Sequence, residues 1–291
     1  MIRRNDGILV VNKPENFRSL EIVKLVRKRL EIKAVGHGGA LDPFATGVLI
    51  ILAGRYTSLT NFIHVLPKTY VVKVKLGVVT DSLDRTGKLI SEDTSVKVNL
   101  GMIVEVLKSF RGFVTQKPPA LSSVKVDGIP AYKYFFSGTA LDLPTRSTFV
   151  HDIKLLDARD QWVTLEITCG KGFYVRSFAN DLGRALGFSG GIVQELHRVS
   201  IGPFSDKLAY NLDQVEEGNF SLELLEDYQK NFSIKFLSNQ ETLRLQHGDP
   251  IIRRHLLQLI SSEPILFLNS ERKCVAVGHM DSSAKLTVVR T

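Results

Sequence analysis

The chain has 291 residues, 44% of them apolar and 23% charged, with a net charge of +8. That composition suits a globular protein with a sizeable core, too long for one small module, and no apolar run approaches the roughly 18 residues of a membrane span. Two cysteines without CxxC spacing and seven histidines without an HxxxH pair exclude a disulfide framework and give no reason to expect a metal. The basic excess favours a polyanionic partner. Residues 1–6 lack the apolar stretch of a signal peptide, so a cytoplasmic location is expected.

Residues 7–11 read as a buried strand ending at Asn12, Lys13 and Pro14. Ser19 is placed to cap a helix whose apolar positions Ile22, Val23, Val26 and Leu30 recur at helical spacing, with Lys24, Arg27, Lys28 and Arg29 opposite. Residues 36–47 form a glycine-rich loop with one carboxylate, Asp42, followed by Pro43 and the apolar strand 48–52. A charge on pliable backbone beside rigid apolar support can present chemistry to a ligand, and it equally suits a turn in which Asp42 caps an N–H. A short helix is expected from Thr57 through Leu59, Phe62 and Ile63.

Alternation of Tyr70, Val72, Val74, Leu76 and Val78 with Lys73 and Lys75 predicts a half-buried strand, and residues 80–87 a polar turn. Leu100, Ile103, Val104, Leu107 and Phe110 mark an amphipathic helix, and Pro118 and Pro119 open an irregular segment. Val163, Leu165, Ile167 and Cys169 line one face of a strand, after which a helix through Phe178, Leu182 and Leu186 stops at Gly187. An acidic stretch over 215–227 places a boundary near 232, giving domains 1–232 and 233–291. Short apolar pieces at 264–268, 275–278 and 286–289 predict a small β-barrel-like second module.

Nucleotide-binding motifs fail at their defining residues. Leu41 stands where GxGxxG needs glycine, and Lys171, between Gly170 and Gly172, has no Ser or Thr directly after it. Phe44 occupies the place of the second acid that an aspartyl phosphotransferase would use for magnesium, and no local partner carboxylate supports glycosidase chemistry. Asp42 is left as a nucleophile, a general base or a structural cap, with no cofactor or nucleotide expected.

The loop 36–47 resembles the catalytic motif of the TruB family of tRNA pseudouridine synthases, close to G-H-x-G-x-L-D-P-x-A-T-G. Further blocks fall in that family's order: Lys13-Pro14, Lys68-x-Tyr70, Thr80-Asp81 with Asp84 and Gly87, and Gln116-x-Pro118-Pro119 with Ser122, Lys125 and Gly128. Cys169-x-Lys171-Gly172-x-Tyr174-Val175-Arg176 and Leu196-x-Arg198 complete the set, so the resemblance spans most of 7–205. The tail, with Gly248-Asp249-Pro250 and Ala276-Val277-Gly278, is similar to a PUA-type RNA-binding module.

The resemblance implies an α+β catalytic domain on a mixed, mostly antiparallel sheet flanked by helices, plus the small C-terminal β-rich module. It implies isomerisation of the T-loop uridine of tRNA (position 55) to pseudouridine, without cofactor, by a monomer that binds the T-stem-loop and no membrane. Position by position, Asp42 corresponds to the catalytic aspartate, Tyr70 to the tyrosine that packs on the target base and Arg176 to the arginine that pairs with the aspartate. His37 matches the residue that displaces the uridine, Tyr174 and Leu196 line the base pocket, and Lys13 supports the site. The competing reading is a non-catalytic tRNA-binding or folding module.

Five positions depart from the pattern. Gly38 replaces a common Thr, which should loosen the loop, and Asn12 replaces an Asp. Leu121 replaces a Tyr, and Phe135-Phe136 stands where Ala-Arg is common.

Overall fold

The computed structural model describes residues 5–93 and 99–289. They fall into two compact units, Met1–Leu66 with Val199–Thr291, and Pro67–Arg198.

In the first unit the strand Gly7–Lys13 pairs antiparallel with Thr46–Ala53 along its whole length, and the short strand Val35–His37 pairs with the same partner. Thr46–Ala53 is buried on both faces, which explains an apolar run without alternation. Val48, Ile50 and Leu52 enter one core with Ile8, Val10 and Phe62; Leu49, Ile51 and Ala53 enter another with Leu9, Val11 and the helix residues Ile22, Val23 and Val26. The helix runs Ser19–Leu30, and Ser19 is its first turn rather than its cap. The expected helix from Thr57 is a 3₁₀ turn, Gly54–Leu59, continuing into Thr60–Val65.

The C-terminal strands belong to the same unit, and Leu266, Leu268, Cys274 and Val277 share a core with Ile8, Val10 and Ile50. Ser233–Phe236, Ile265–Leu268, Cys274–Met280 and Ala284–Val288 form a four-stranded sheet in that order. The first pair is parallel and the others antiparallel. A parallel pair requires a crossover. Two helices that the barrel-like expectation lacked, Asn239–Gln246 and Pro250–Gln258, supply it, packing Leu245, Ile252 and Leu256 against Phe267 and Val275. Each is short, and the break at Gly248-Asp249-Pro250 interrupts their common period.

In the second unit Lys68–Leu76, Trp162–Cys169, Arg146–Arg159 and Gly112–Gln116 are successive antiparallel neighbours. Tyr70, Val72, Val74 and Leu76 are buried while Lys73 and Lys75 are half-exposed, as the alternation requires. The strand Arg146–Arg159 is fourteen residues long. Its register slips between Val150 and Asp152 and between Leu155 and Asp157, so its hydrophobic period breaks twice. The helix Leu100–Lys108 buries Ile103 and Leu107, but Leu100 and Val104 are 61% and 45% exposed, a narrower apolar stripe than the spacing suggested.

Candidate active site

The loop carrying Asp42 is pinned from both flanks. Lys13, fully buried at the end of its strand, donates to the carbonyls of Pro14 (2.8 Å), Phe17 (2.8 Å) and Pro43 (3.1 Å). Three carbonyl partners offset the cost of burying an ammonium. Ser19 Oγ accepts from the Leu41 amide (2.9 Å) and donates to the Leu41 carbonyl (3.2 Å). The residues on either side of Asp42 are thus fixed to the strand end and to the helix, leaving Asp42 half-buried.

Gly38 does not loosen this loop. Its amide donates to Ile50 O (2.8 Å), and a Cβ there would stand 2.4 Å from Ile63 Cγ2, so only glycine allows this close packing. His37, half-buried, accepts from the Gly39 amide at Nδ1 (3.3 Å). An acceptor at Nδ1 places the proton of a neutral ring on Nε2.

The remaining expected residues lie in the second unit. Tyr70 is buried on its strand, opposite Ile167. Leu196 is buried on the strand Gly191–Ile201, close along the chain to the buried Arg198. Tyr174 directly precedes the helix Val175–Ala185 and is clamped by Gln116, whose Oε1 accepts from Tyr174 N (3.0 Å) and whose Nε2 donates to Tyr174 O (3.2 Å).

Arg176 sits in the first turn of that helix, buried. Its guanidinium donates to Ser82 O (3.0 Å) and Leu121 O (2.9 Å), and Nη1 stands 3.7 Å from Asp84 Oδ2. Asp84 is itself buried, and its Oδ1 accepts from Ser82 Oγ (2.8 Å), Thr86 N (2.9 Å) and Thr86 Oγ1 (2.6 Å). The polar turn is therefore a rigid socket for a permanently charged fork.

In the sequence Asp84 and Gln116 stand out only as motif members. The Ser82-x-Asp84-x-Thr86 alternation was the available signal for the socket, since short polar side chains two residues apart bond to a shared carboxylate in a turn.

Lys68 is half-buried at the head of the Tyr70 strand. Burial first, and the nearby Arg198 charge second, push its ammonium down to about 8. Cys169, its cross-strand neighbour, is pushed up to about 12 by burial and stays a thiol. Among the described residues no group of three or more His, Cys, Asp or Glu is arranged to hold a metal ion, and no helix is long and apolar enough to cross a membrane.

The structure thus groups Asp42, His37 and Lys13 on one unit and Tyr70, Tyr174, Arg176 and Leu196 on the other. A family model described as the N-terminal domain of the TruB family pseudouridylate synthases matches residues 27–175. The tRNA pseudouridine synthase B of Clostridium tetani is 33% identical over 281 residues, covering 94% of this chain and 95% of that protein. Its counterpart in Ruegeria pomeroyi is 39% identical over 251 residues, covering 84% and 82%. A crystal structure of a Cbf5-Nop10-Gar1 complex matches with a TM-score of 0.70 at 21% identity, over 99% of this chain and 84% of that one, a likeness of fold.

Proposed function

This chain belongs to the TruB family of pseudouridylate synthases, and we propose that it isomerises the T-loop uridine of tRNA, position 55, to pseudouridine. The reaction breaks the N1–C1′ bond, turns the uracil, joins C5 to C1′ and releases the C5 proton while N1 gains one. Nothing is oxidised and no water is consumed, so the chain's own side chains can carry it.

In this reading the Asp42 carboxylate mediates detachment and reattachment of the base. Arg176 supplies the fixed positive charge that keeps a nearby carboxylate ionised. Tyr70 stacks on the everted uracil and takes part in moving the C5 proton. His37 fills the place the uridine vacates, Tyr174 and Leu196 shape the pocket, and Lys13 holds the loop. Everting the base costs a few kcal/mol and an aromatic platform returns roughly 1–3 kcal/mol, so phosphate contacts must supply the rest of the affinity. Residues 1–232 would carry the chemistry and 233–291 a PUA-like RNA contact, in a cytoplasmic monomer.

The observation that carries this reading is the double anchoring of Asp42, through Lys13 to Pro43 and through Ser19 to Leu41. A carboxylate that merely capped a turn would need neither. Asp42→Asn tests it: pseudouridine formation is lost while tRNA affinity is preserved. Retained activity refutes the assignment, and an inactive wild type supports the binding-only alternative.

A further inference from the structure

The helix Val175–Ala185 carries Arg176 in its first turn, yet its N-cap, Tyr174, supplies no side-chain cap. Tyrosine lacks the short acceptor with which Ser, Asp or Asn reaches the first helical amides. The hold on this end comes from elsewhere in the chain. Gln116 ends the strand Gly112–Gln116, is 4% exposed, and directs its carboxamide at both backbone groups of Tyr174. Its Oε1 accepts from Tyr174 N, and its Nε2 donates to the carbonyl that also accepts the helical bond from Phe178 N (3.0 Å). One side chain thus meets one residue's donor and acceptor together, as a neighbouring strand would.

The residues just after Gln116 hold the helix as well. Lys117 O accepts from Ser177 Oγ (2.6 Å), and Leu121 O accepts from Arg176 Nη2 (2.9 Å). Those two contacts use main-chain carbonyls, which any residue at 117 or 121 would present. The contact at 116 differs, because it depends on the identity of the side chain. A carboxamide of this length sets a donor beside an acceptor. Leucine offers neither, and an ionised glutamate would turn an acceptor towards the Tyr174 carbonyl. Tyr174 also packs against the small core of Val124, Ala131 and Leu143. A backbone shift at Tyr174 therefore displaces its ring and, two residues on, the Arg176 guanidinium.

We propose that Gln116 is a positioning residue for the isomerisation: its carboxamide fixes the backbone of Tyr174, and through it the places of the Tyr174 ring and the Arg176 guanidinium. Gln116 acts through those two residues rather than on the substrate. The inference rests on the pseudouridine synthase reading and deepens it.

The test is single-turnover pseudouridine formation on a T-stem-loop transcript by Gln116→Leu and Gln116→Glu, with Kd and the urea midpoint measured on the same preparations. Gln116→Leu should slow the chemical step about 10- to 100-fold, the cost of misplacing reacting groups by up to about 1 Å, and change Kd less than about threefold. Gln116→Glu separates positioning from packing. Burial beside a carbonyl raises the pKa of the introduced carboxyl, and once protonated it again presents a donor beside an acceptor. Its rate relative to wild type at the same pH should therefore climb about tenfold as pH falls from about 8 to about 5.5. A residue that only stabilised the fold would lower the urea midpoint and leave the rate of the folded protein, with its pH profile, at the wild-type values. That result overturns the inference, as does a Gln116→Glu ratio that is flat with pH. If Gln116→Leu does not fold, the Gln116→Glu ratio decides alone. Wild-type activity leaves the enzyme reading standing in each of these cases, whereas a wild type that makes no pseudouridine overturns that reading and the inference with it.

Discussion

At the residue scale the site depends on charges with prearranged partners. Arg176 is oriented by two carbonyls and the buried carboxylate of Asp84. Removing one member of a buried pair leaves the other without compensation, at about 3–5 kcal/mol. Asp84→Ala should therefore lower the unfolding free energy in urea by about 3 kcal/mol and reduce single-turnover pseudouridine formation. An unchanged urea midpoint would mean that the socket does not bear on Arg176. Lys68 gives a pH signature. Below about 8 its half-buried ammonium is charged in both folded and unfolded chains, and the desolvation cost stands. Between about 8 and its ordinary 10.5 the unfolded chain holds a proton that the folded one has released, so stability rises with pH across that window. Cys169 opposes this above its ordinary 9, being held protonated up to about 12. The comparison of wild type with Lys68→Met isolates the lysine: the variant should lose the upward slope between pH 8 and 10, and parallel curves would contradict the assignment.

At the element scale, some patterns were legible from the chain and others were hidden. The alternation from Tyr70 to Leu76 gave a strand with its buried face correctly assigned, because one face packs and the other meets solvent. Arg146–Arg159 could not be read, because its register shifts move the inward positions twice. The C-terminal helices were hidden for a different reason: each is about two turns long, too short for a hydrophobic stripe to stand out. Ser19 marks the helix start but does not cap it, since its hydroxyl serves Leu41 across the chain rather than its own helix. Gly38 carries the sharpest element-scale expectation. Gly38→Ala forces a Cβ against Ile63 and should destabilise the protein by about 1–3 kcal/mol. Adding Ile63→Ala should recover part of the loss, and additive losses would show that the contact is not what excludes a side chain there.

At the scale of the whole molecule, the family was legible because motif order survives in sequence. What the sequence does not show is that Leu266 and Val277, beyond the boundary at 232, share a core with Ile8 and Val10, far away along the chain. Long-range contacts of this kind leave no local period. The net charge of +8 belongs to this scale as well. If phosphate contacts supply most of the affinity, log Kd for tRNA should rise linearly with log salt, with a slope of about 0.9 per phosphate neutralised on duplex RNA by analogy with B-DNA. A salt-independent Kd would contradict the electrostatic share assigned here. The most direct test of the central claim is mass-spectrometric mapping of pseudouridine in unmodified tRNA after incubation with wild-type protein and with Asp42→Asn. The expected result is one pseudouridine at the T-loop uridine with the wild type and none with the variant. Pseudouridine made equally by both proteins, or by neither, would contradict the role given to Asp42.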